Sequence, residues 1–327
     1  MTGRVLEIED FSLIFETGGA PVRALRNVTL SVPQREIVGI VGESGSGKST
    51  LALAVIGLLA ANARILSGQV IFDGRDLLTL DEDAMRSIRG KRIAMVFQDP
   101  MTSLNPVRTV GQQMLDIQHH DRESGTEVKR RKAAEALARV GIPDAAQQLD
   151  NYIFQFSGGM RQRIAIAMGM MQKPEVLVAD EVTTALDVTL ESQILYLLRE
   201  LRDEIGCSIL FISHNLGAVA EICDRVIVLY AGELVEQGLI ADIFANPRHP
   251  YTRALIACDP ARIPEATREL PVIAGDVPNL AAIPKGCIFA TRCSWARDIC
   301  AVEAPPMVET EPGHFARCHF AKAGPQQ

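Results

Sequence analysis

Gly42-Glu43-Ser44-Gly45-Ser46-Gly47-Lys48-Ser49-Thr50 fits the pattern G-x-x-x-x-G-K-[ST], with Gly42, Gly47, Lys48 and Ser49 at its fixed places. That spacing suits the wrapping of a nucleotide's β-phosphate in backbone N–H groups. Side chains at Gly45 or Gly47 would block the approach, so glycine is the residue the loop needs there. Lys48 supplies a point charge to the β- and γ-phosphates and the Ser49 hydroxyl takes a Mg2+ position. A helix after the loop aims its positive end at the anion. The flanks agree: Ile37–Val41 reads as a buried parallel strand and Leu51–Leu59 as a helix.

Further along, apolar runs end in polar residues. The strand predicted at Arg92–Phe97 delivers Gln98, whose carboxamide can accept Mg2+ or hold an attacking water. Pro174–Ala179 ends in Asp180, placed to hold Mg2+ through water, and Glu181, placed to orient or deprotonate the water. Ser208–Ser213 delivers His214, which can contact a γ-phosphate. Ser157 has the character of a helix N-cap, and Gly158 and Gly159 beside it expose backbone N–H groups at a positive helix end. This is a second anion site without a lysine of its own. Phe15 is placed either to stack on an adenine ring or to fill the core.

These elements sit in a chain of 327 residues, 47% hydrophobic, with a formal net charge of −7. The acidic balance argues against nucleic acid as the main partner, because binding there rests on phosphate neutralisation by Lys and Arg. The one compact basic run, Lys129-Arg130-Arg131-Lys132, opens a stretch rich in Ala and Glu and reads as a solvated helix face. No apolar leader or membrane-spanning run is evident, which predicts a cytosolic chain unless a partner holds it at a membrane.

In chain order, Leu6–Val32 predicts antiparallel strands around Gly18-Gly19. Gln69–Gly74 predicts a hairpin with an Asp-Gly turn. The texture from Asp99 to Met160 is that of an inserted helical subdomain. After Cys258 the chain turns proline-rich, with a boundary near Asp259-Pro260. Of seven cysteines, Cys207, Cys223 and Cys258 read as packing thiols. Cys287, Cys293, Cys300 and Cys318 are spaced C-x5-C-x6-C-x17-C, wider than the C-x2-C knuckles of common zinc sites. The spacing supports a metal site without naming the metal, iron or zinc.

Together the phosphate loop, Gln98, Ser157-Gly158-Gly159, Asp180-Glu181, Ala185-Leu186-Asp187 and His214 occur in an order that resembles the ATP-binding cassette ATPases over about Leu6–Ala257. The resemblance implies an α/β P-loop NTPase fold with an antiparallel β subdomain, an inserted helical subdomain and a small Cys-rich C-terminal extension. The boundaries expected are 1–258 for the cassette, 99–163 for the helical part and 259–327 for the extension. It implies ATP and Mg2+ as cofactors, contacts to nucleotide along residues 42–50 and at Asp187, and Ser157-Gly158-Gly159 closing over a neighbouring subunit's ATP.

A narrower likeness is carried by Phe97–Pro106, Asn246–Leu255 and the cysteine tail, which resemble the oligopeptide and dipeptide importer branch, in particular its dipeptide-type D subunit. That implies a peripheral ATPase on the cytoplasmic face of the inner membrane. It would pair as a heterodimer with a second ATP-binding subunit beneath two integral membrane permease subunits fed by an extracytoplasmic solute-binding protein. Met101 and Leu104 would face a coupling helix, and the four tail cysteines would carry a 4Fe-4S cluster. The branch also includes importers of nickel chelates and oligosaccharides. The rival class is a soluble cassette acting on nucleic acid or the ribosome, which the single cassette and acidic charge disfavour. Four positions depart from the family pattern: Phe156 for Leu, Val182 for Pro, Asn215 for Asp and Arg35 for Gly.

Overall fold

The computed structural model describes residues 3–184, 186–259 and 271–322, the Thr102 side chain excepted. Ala185 and Pro260 therefore lie outside the described residues. The chain divides into two units, Met1–Thr79 with Ile212–Gln327, and Leu80–Phe211.

In the first unit, alternating apolar residues build an antiparallel sheet in the order Val22–Pro33, Arg4–Phe15, Ala63–Phe72, Arg75–Asp76. Its last hairpin turns through Asp73 and Gly74 at φ 50° and 73°, the left-handed pair a tight Asp-Gly turn needs. A second layer runs in the order Val308–Glu311, His314–Ala316, Glu233–Leu239, Arg225–Tyr230, Ile37–Val41. All five residues of Ile37–Val41 are buried, and the strand pairs in parallel with Arg225–Tyr230. Each such aliphatic side chain contributes about 1.5–3 kcal/mol by leaving water.

The helix after the phosphate loop spans Lys48–Val55, shorter than the expected run to Leu59. Gly57 at φ 64° ends it. The N–H of Gly57 donates to Ala54 O at 3.1 Å and that of Leu58 to Leu53 O at 2.9 Å, closing the last carbonyls in a Schellman motif. Arg35, where the family pattern has Gly, sits at φ 62° in the region Gly enters without strain.

The C-terminal segment is fastened to this unit through Glu236, a fully buried carboxylate. It accepts from the backbone N–H groups of Arg248 at 2.6 Å and His249 at 3.0 Å, and lies 2.7 Å from His314 Nε2. His314–Ala316 also pairs with Glu233–Leu239. The tail thus adds two strands that its loop-like composition did not announce.

In the second unit, strands Ser208–Ile212, Val176–Asp180 and Ile93–Val96 lie in that order. Around them run the helices Val110–Ile117, Thr126–Arg139, Gly158–Met170 and Val188–Ile205. The basic run falls in Thr126–Arg139 and is taken up locally, Arg130 pairing with Asp150 at 2.7 Å and Lys132 with Asp121 at 2.7 Å. No helix among the described residues is long and apolar enough to cross a membrane.

Candidate functional site

The phosphate loop connects Ile37–Val41 to the helix Lys48–Val55. Its glycines are required for different reasons. A Cβ on Gly42 would sit 2.1 Å from Leu229 O, and one on Gly47 would sit 2.7 Å from Leu25 Cδ2, so the fold itself excludes side chains there. A Cβ on Gly45 would meet nothing within 4 Å. That corrects the expectation that Gly45 and Gly47 serve alike: Gly47 is crowded by a neighbouring strand, while Gly45 faces an open cradle at φ 78°.

Lys48 is buried, and its Nζ donates to Gly42 O at 2.8 Å and Glu43 O at 3.1 Å. The ammonium is thereby aimed across the mouth of the loop. Ser44 and Gly45 are exposed there, while Ser46 is buried. In the same unit His214 is exposed, and Phe15 is half-buried at the end of its strand. Asn215 caps the helix Leu216–Ile222, its side-chain oxygen accepting from Gly217 N at 2.9 Å and Ala218 N at 3.3 Å. Asn in place of the family's Asp leaves this capping intact.

In the second unit the polar residues at strand ends meet. Gln98 Nε2 donates to Glu181 Oε2 at 2.8 Å, and the Thr184 hydroxyl donates to the same oxygen at 3.3 Å. Glu181 is at φ 49°, left-handed backbone that a non-Gly residue enters at a cost and that clusters at functional positions. Asp180, one residue earlier, is buried at the end of its strand. A carboxamide bonded to a carboxylate can orient a water and draw a proton from it, and Asp180, one residue before Glu181, supplies a second carboxylate of the type that holds a hydrated cation. Val182 is buried, so the departure from Pro fills core volume.

Ser157 caps the 13-residue helix Gly158–Met170, as expected, accepting from Met160 N at 3.4 Å. Ser157 and Gly158 are exposed, and a Cβ on Gly158 would meet nothing, whereas Gly159 packs against Leu190. The helix end therefore presents bare N–H groups outward. Asp187 caps the helix Val188–Ile205, accepting from Leu190 N at 2.9 Å. Met101 is exposed and Leu104 half-buried. Sequence reasoning missed Tyr152 and Phe154, both exposed with rings stacked 5.5 Å apart.

Three residues far along the chain also bear on the phosphate loop: Tyr251 belongs to the run Asn246–Leu255 that carries the importer-branch likeness, while no sequence pattern singles out Arg292 or Tyr230. Tyr251 OH accepts from Glu43 N at 2.8 Å, Arg292 forms a two-pronged pair with the Glu43 carboxylate, and Tyr230 OH accepts from Arg292.

Cys287, Cys293, Cys300 and Cys318 line one cavity of about 10 Å3, walled by Trp295 and Phe320. Burial pushes the thiols of Cys287, Cys293 and Cys318 up to about 11, and neighbouring cysteines add to it. The N–H of Trp295 donates to Cys293 Sγ at 3.3 Å and that of Phe320 to Cys318 Sγ at 3.4 Å. Among the described residues no three His, Cys, Asp or Glu side chains are gathered to hold one metal ion. Cys207 and Cys223 are buried elsewhere, as packing thiols should be.

Comparison with known proteins matches residues 25–184 to the family ABC transporter, and residues 235–300 to the family Oligopeptide/dipeptide transporter, C-terminal region. The chain is 49% identical to the probable peptide ABC transporter ATP-binding protein y4tR of Sinorhizobium fredii, covering 96% of this chain and 94% of that one. It is 43% identical to the oligopeptide transport ATP-binding protein OppD of Bacillus subtilis, over 96% of this chain and 88% of that one. The dipeptide transport ATP-binding protein DppD of Lactococcus lactis is 44% identical, with 96% and 90% covered. Among solved structures, the dimeric post-hydrolysis state of the ATP-binding cassette MJ0796 bound to ADP and Pi superposes with a TM-score of 0.65 and 28% identity. It covers 72% of this chain and 98% of that one.

Proposed function

The chain belongs to the ATP-binding subunits of peptide ABC transporters, and from that premise we propose that it hydrolyses ATP to energise peptide import from the cytoplasmic face of the membrane. The observation that carries the peptide branch is the match over residues 235–300, a segment whose buried Glu236 carboxylate accepts from the backbone N–H groups of Arg248 and His249. Its partners are membrane permease subunits and a substrate-binding protein.

Residues 42–50 would cradle the ATP phosphates, Lys48 would neutralise the β- and γ-phosphates, and Ser49 and Asp180 would hold Mg2+. Gln98 and Glu181 would share the attacking water, with Glu181 as base and His214 on the γ-phosphate. The 2.8 Å bond between Gln98 and Glu181 supports that pairing. The bare helix end at Ser157-Gly158-Gly159 would close over ATP held by a second ATP-binding subunit. Asp187 would stand beside that junction. The dimeric state of the similar solved cassette supports the arrangement. Heterodimer formation with a related ATPase follows the importer branch. Met101, Tyr152 and Phe154 would face a permease subunit.

The four tail cysteines would hold a 4Fe-4S cluster. Four thiols on one cavity are the donor set such a cluster takes, and backbone N–H groups on two of the sulfurs are its usual support. Each cysteine would bind a different iron, so the sulfurs need not converge on one ion as zinc would demand. A space of about 10 Å3 admits roughly one water, so loading requires the side chains to move outward. Bound there, the cluster would tie the segments around Cys287, Cys293, Cys300 and Cys318 together. Anaerobically purified protein should contain about four iron and four sulfide per chain; zinc, or no metal, overturns this assignment.

Uptake in a strain deleted for this chain tests the function. Labelled di- and tripeptide uptake should fall and be restored by the wild-type chain. Loss of nickel or oligosaccharide uptake with normal peptide uptake would assign a different cargo.

A further inference from the structure

We propose that Arg292 and Tyr251 are positioning residues of the phosphate loop, acting through Glu43, so that nucleotide affinity depends on the C-terminal segment. The proposal rests on the reading that residues 42–50 bind ATP.

Glu43 is the first residue after the crowded Gly42, and three of its groups are held from three directions. Its N–H donates to Tyr251 OH at 2.8 Å. Its carbonyl accepts from Lys48 Nζ at 3.1 Å. Its carboxylate accepts from Arg292, Nη1 to Oε2 at 2.7 Å and Nη2 to Oε1 at 3.0 Å.

Arg292 is in turn fixed by contacts to other groups. Nε donates to Ala274 O at 3.0 Å, Nη2 to Ile273 O at 2.9 Å, and Nη1 to Tyr230 OH at 3.2 Å. Its side chain is only 3% exposed while that of Glu43 is 28% exposed. A guanidinium so enclosed must be paired, and a planar fork pairs a carboxylate in one orientation only. Behind it Tyr230, Tyr251 and Phe289 form an aromatic cluster with ring centres 4.5–5.4 Å apart. The loop is therefore clamped to a stiff wall before any nucleotide arrives, and ATP would meet a loop whose ordering cost has already been met by folding.

The wall is also part of the cysteine site. Phe289 lines the cysteine cavity, and Arg292 lies in the short helical turn Ala290–Arg292 between Cys287 and Cys293. A change in the packing of that turn reaches Glu43 through one side chain.

The test is MgATP binding to the full chain by calorimetry, with melting temperature measured in parallel. Arg292→Met and Glu43→Gln should each raise the ATP Kd about tenfold, and the double variant should be no weaker than the weaker single one, because both remove the same contact. Arg292→Lys should recover part of the affinity, since it keeps the charge but not the fork. Tyr251→Phe should weaken binding by a smaller factor. The clamp is overturned if Arg292→Met lowers the melting temperature without moving Kd, or if the two single effects multiply in the double variant. Glu43→Gln, a small change at a partly exposed site, keeps the test valid should Arg292→Met misfold. If the wild type binds MgATP no better than Lys48→Ala, it is the nucleotide assignment of the loop that fails.

Discussion

Glu181→Gln is expected to lower ATP turnover by about 10²- to 10⁴-fold, the usual worth of a general base, while ATP binding stays intact. The substitution is close to isosteric, so the Gln98 amide and the Thr184 hydroxyl, which both donate to Glu181 Oε2, keep an oxygen to donate to. What is lost is the negative charge and the capacity to take a proton. The left-handed backbone at Glu181, φ 49°, fixes where the side chain starts and is unchanged by the replacement. The measurement is phosphate release at saturating MgATP, with ATP retention on the same sample. Near-normal release would show that another group activates the water. Lost retention would show that Glu181 supports the fold of its strand end instead.

Much of this site could be read from residue order because each part is local. A buried β-branched run such as Ile37–Val41, a loop of fixed glycines and a polar residue closing an apolar strand are short-range patterns. The meeting of Gln98 with Glu181 follows because Ile93–Val96 and Val176–Asp180 are neighbouring parallel strands. The strand–loop–helix frame of the phosphate loop was therefore legible, and so was the N-cap at Ser157.

The unread parts depend on groups distant in sequence. Arg292 lies 249 positions from Glu43. Its neighbours along the chain carry no period that would point it at a phosphate loop. The strand His314–Ala316 is three residues long and draws its stability from an edge supplied by Glu233–Leu239 and from the buried Glu236 carboxylate. Composition alone makes such a segment a loop. The end of the helix after the phosphate loop was readable in principle. Gly57 followed by Leu58 is a Schellman signal, outweighed by the apolar run that continues to Leu59.

Lys48→Ala is expected to remove most of the stabilisation by MgATP and, separately, to lower the melting temperature of the nucleotide-free protein. Both effects follow from the same ammonium group. Removing one partner of an enclosed charge contact costs about 2–5 kcal/mol, so ATP affinity should fall at least about thirtyfold. At an ATP concentration near 100 times the wild-type Kd, binding stabilises the native state by about 2.7 kcal/mol. At about 2 °C per kcal/mol for a body of this size, the wild type should melt about 5 °C higher with MgATP. The variant, at least about thirtyfold weaker, should shift by no more than about 2 °C under the same conditions. Without nucleotide, Lys48 Nζ donates to Gly42 O and Glu43 O from a buried position, so its removal leaves two loop carbonyls without that donor. That costs about 1–3 kcal/mol and lowers the baseline by a few degrees. Differential scanning fluorimetry with and without MgATP separates the two effects. A lowered baseline with the full 5 °C shift retained would mean that Lys48 holds the loop together but is not the group that meets the phosphates.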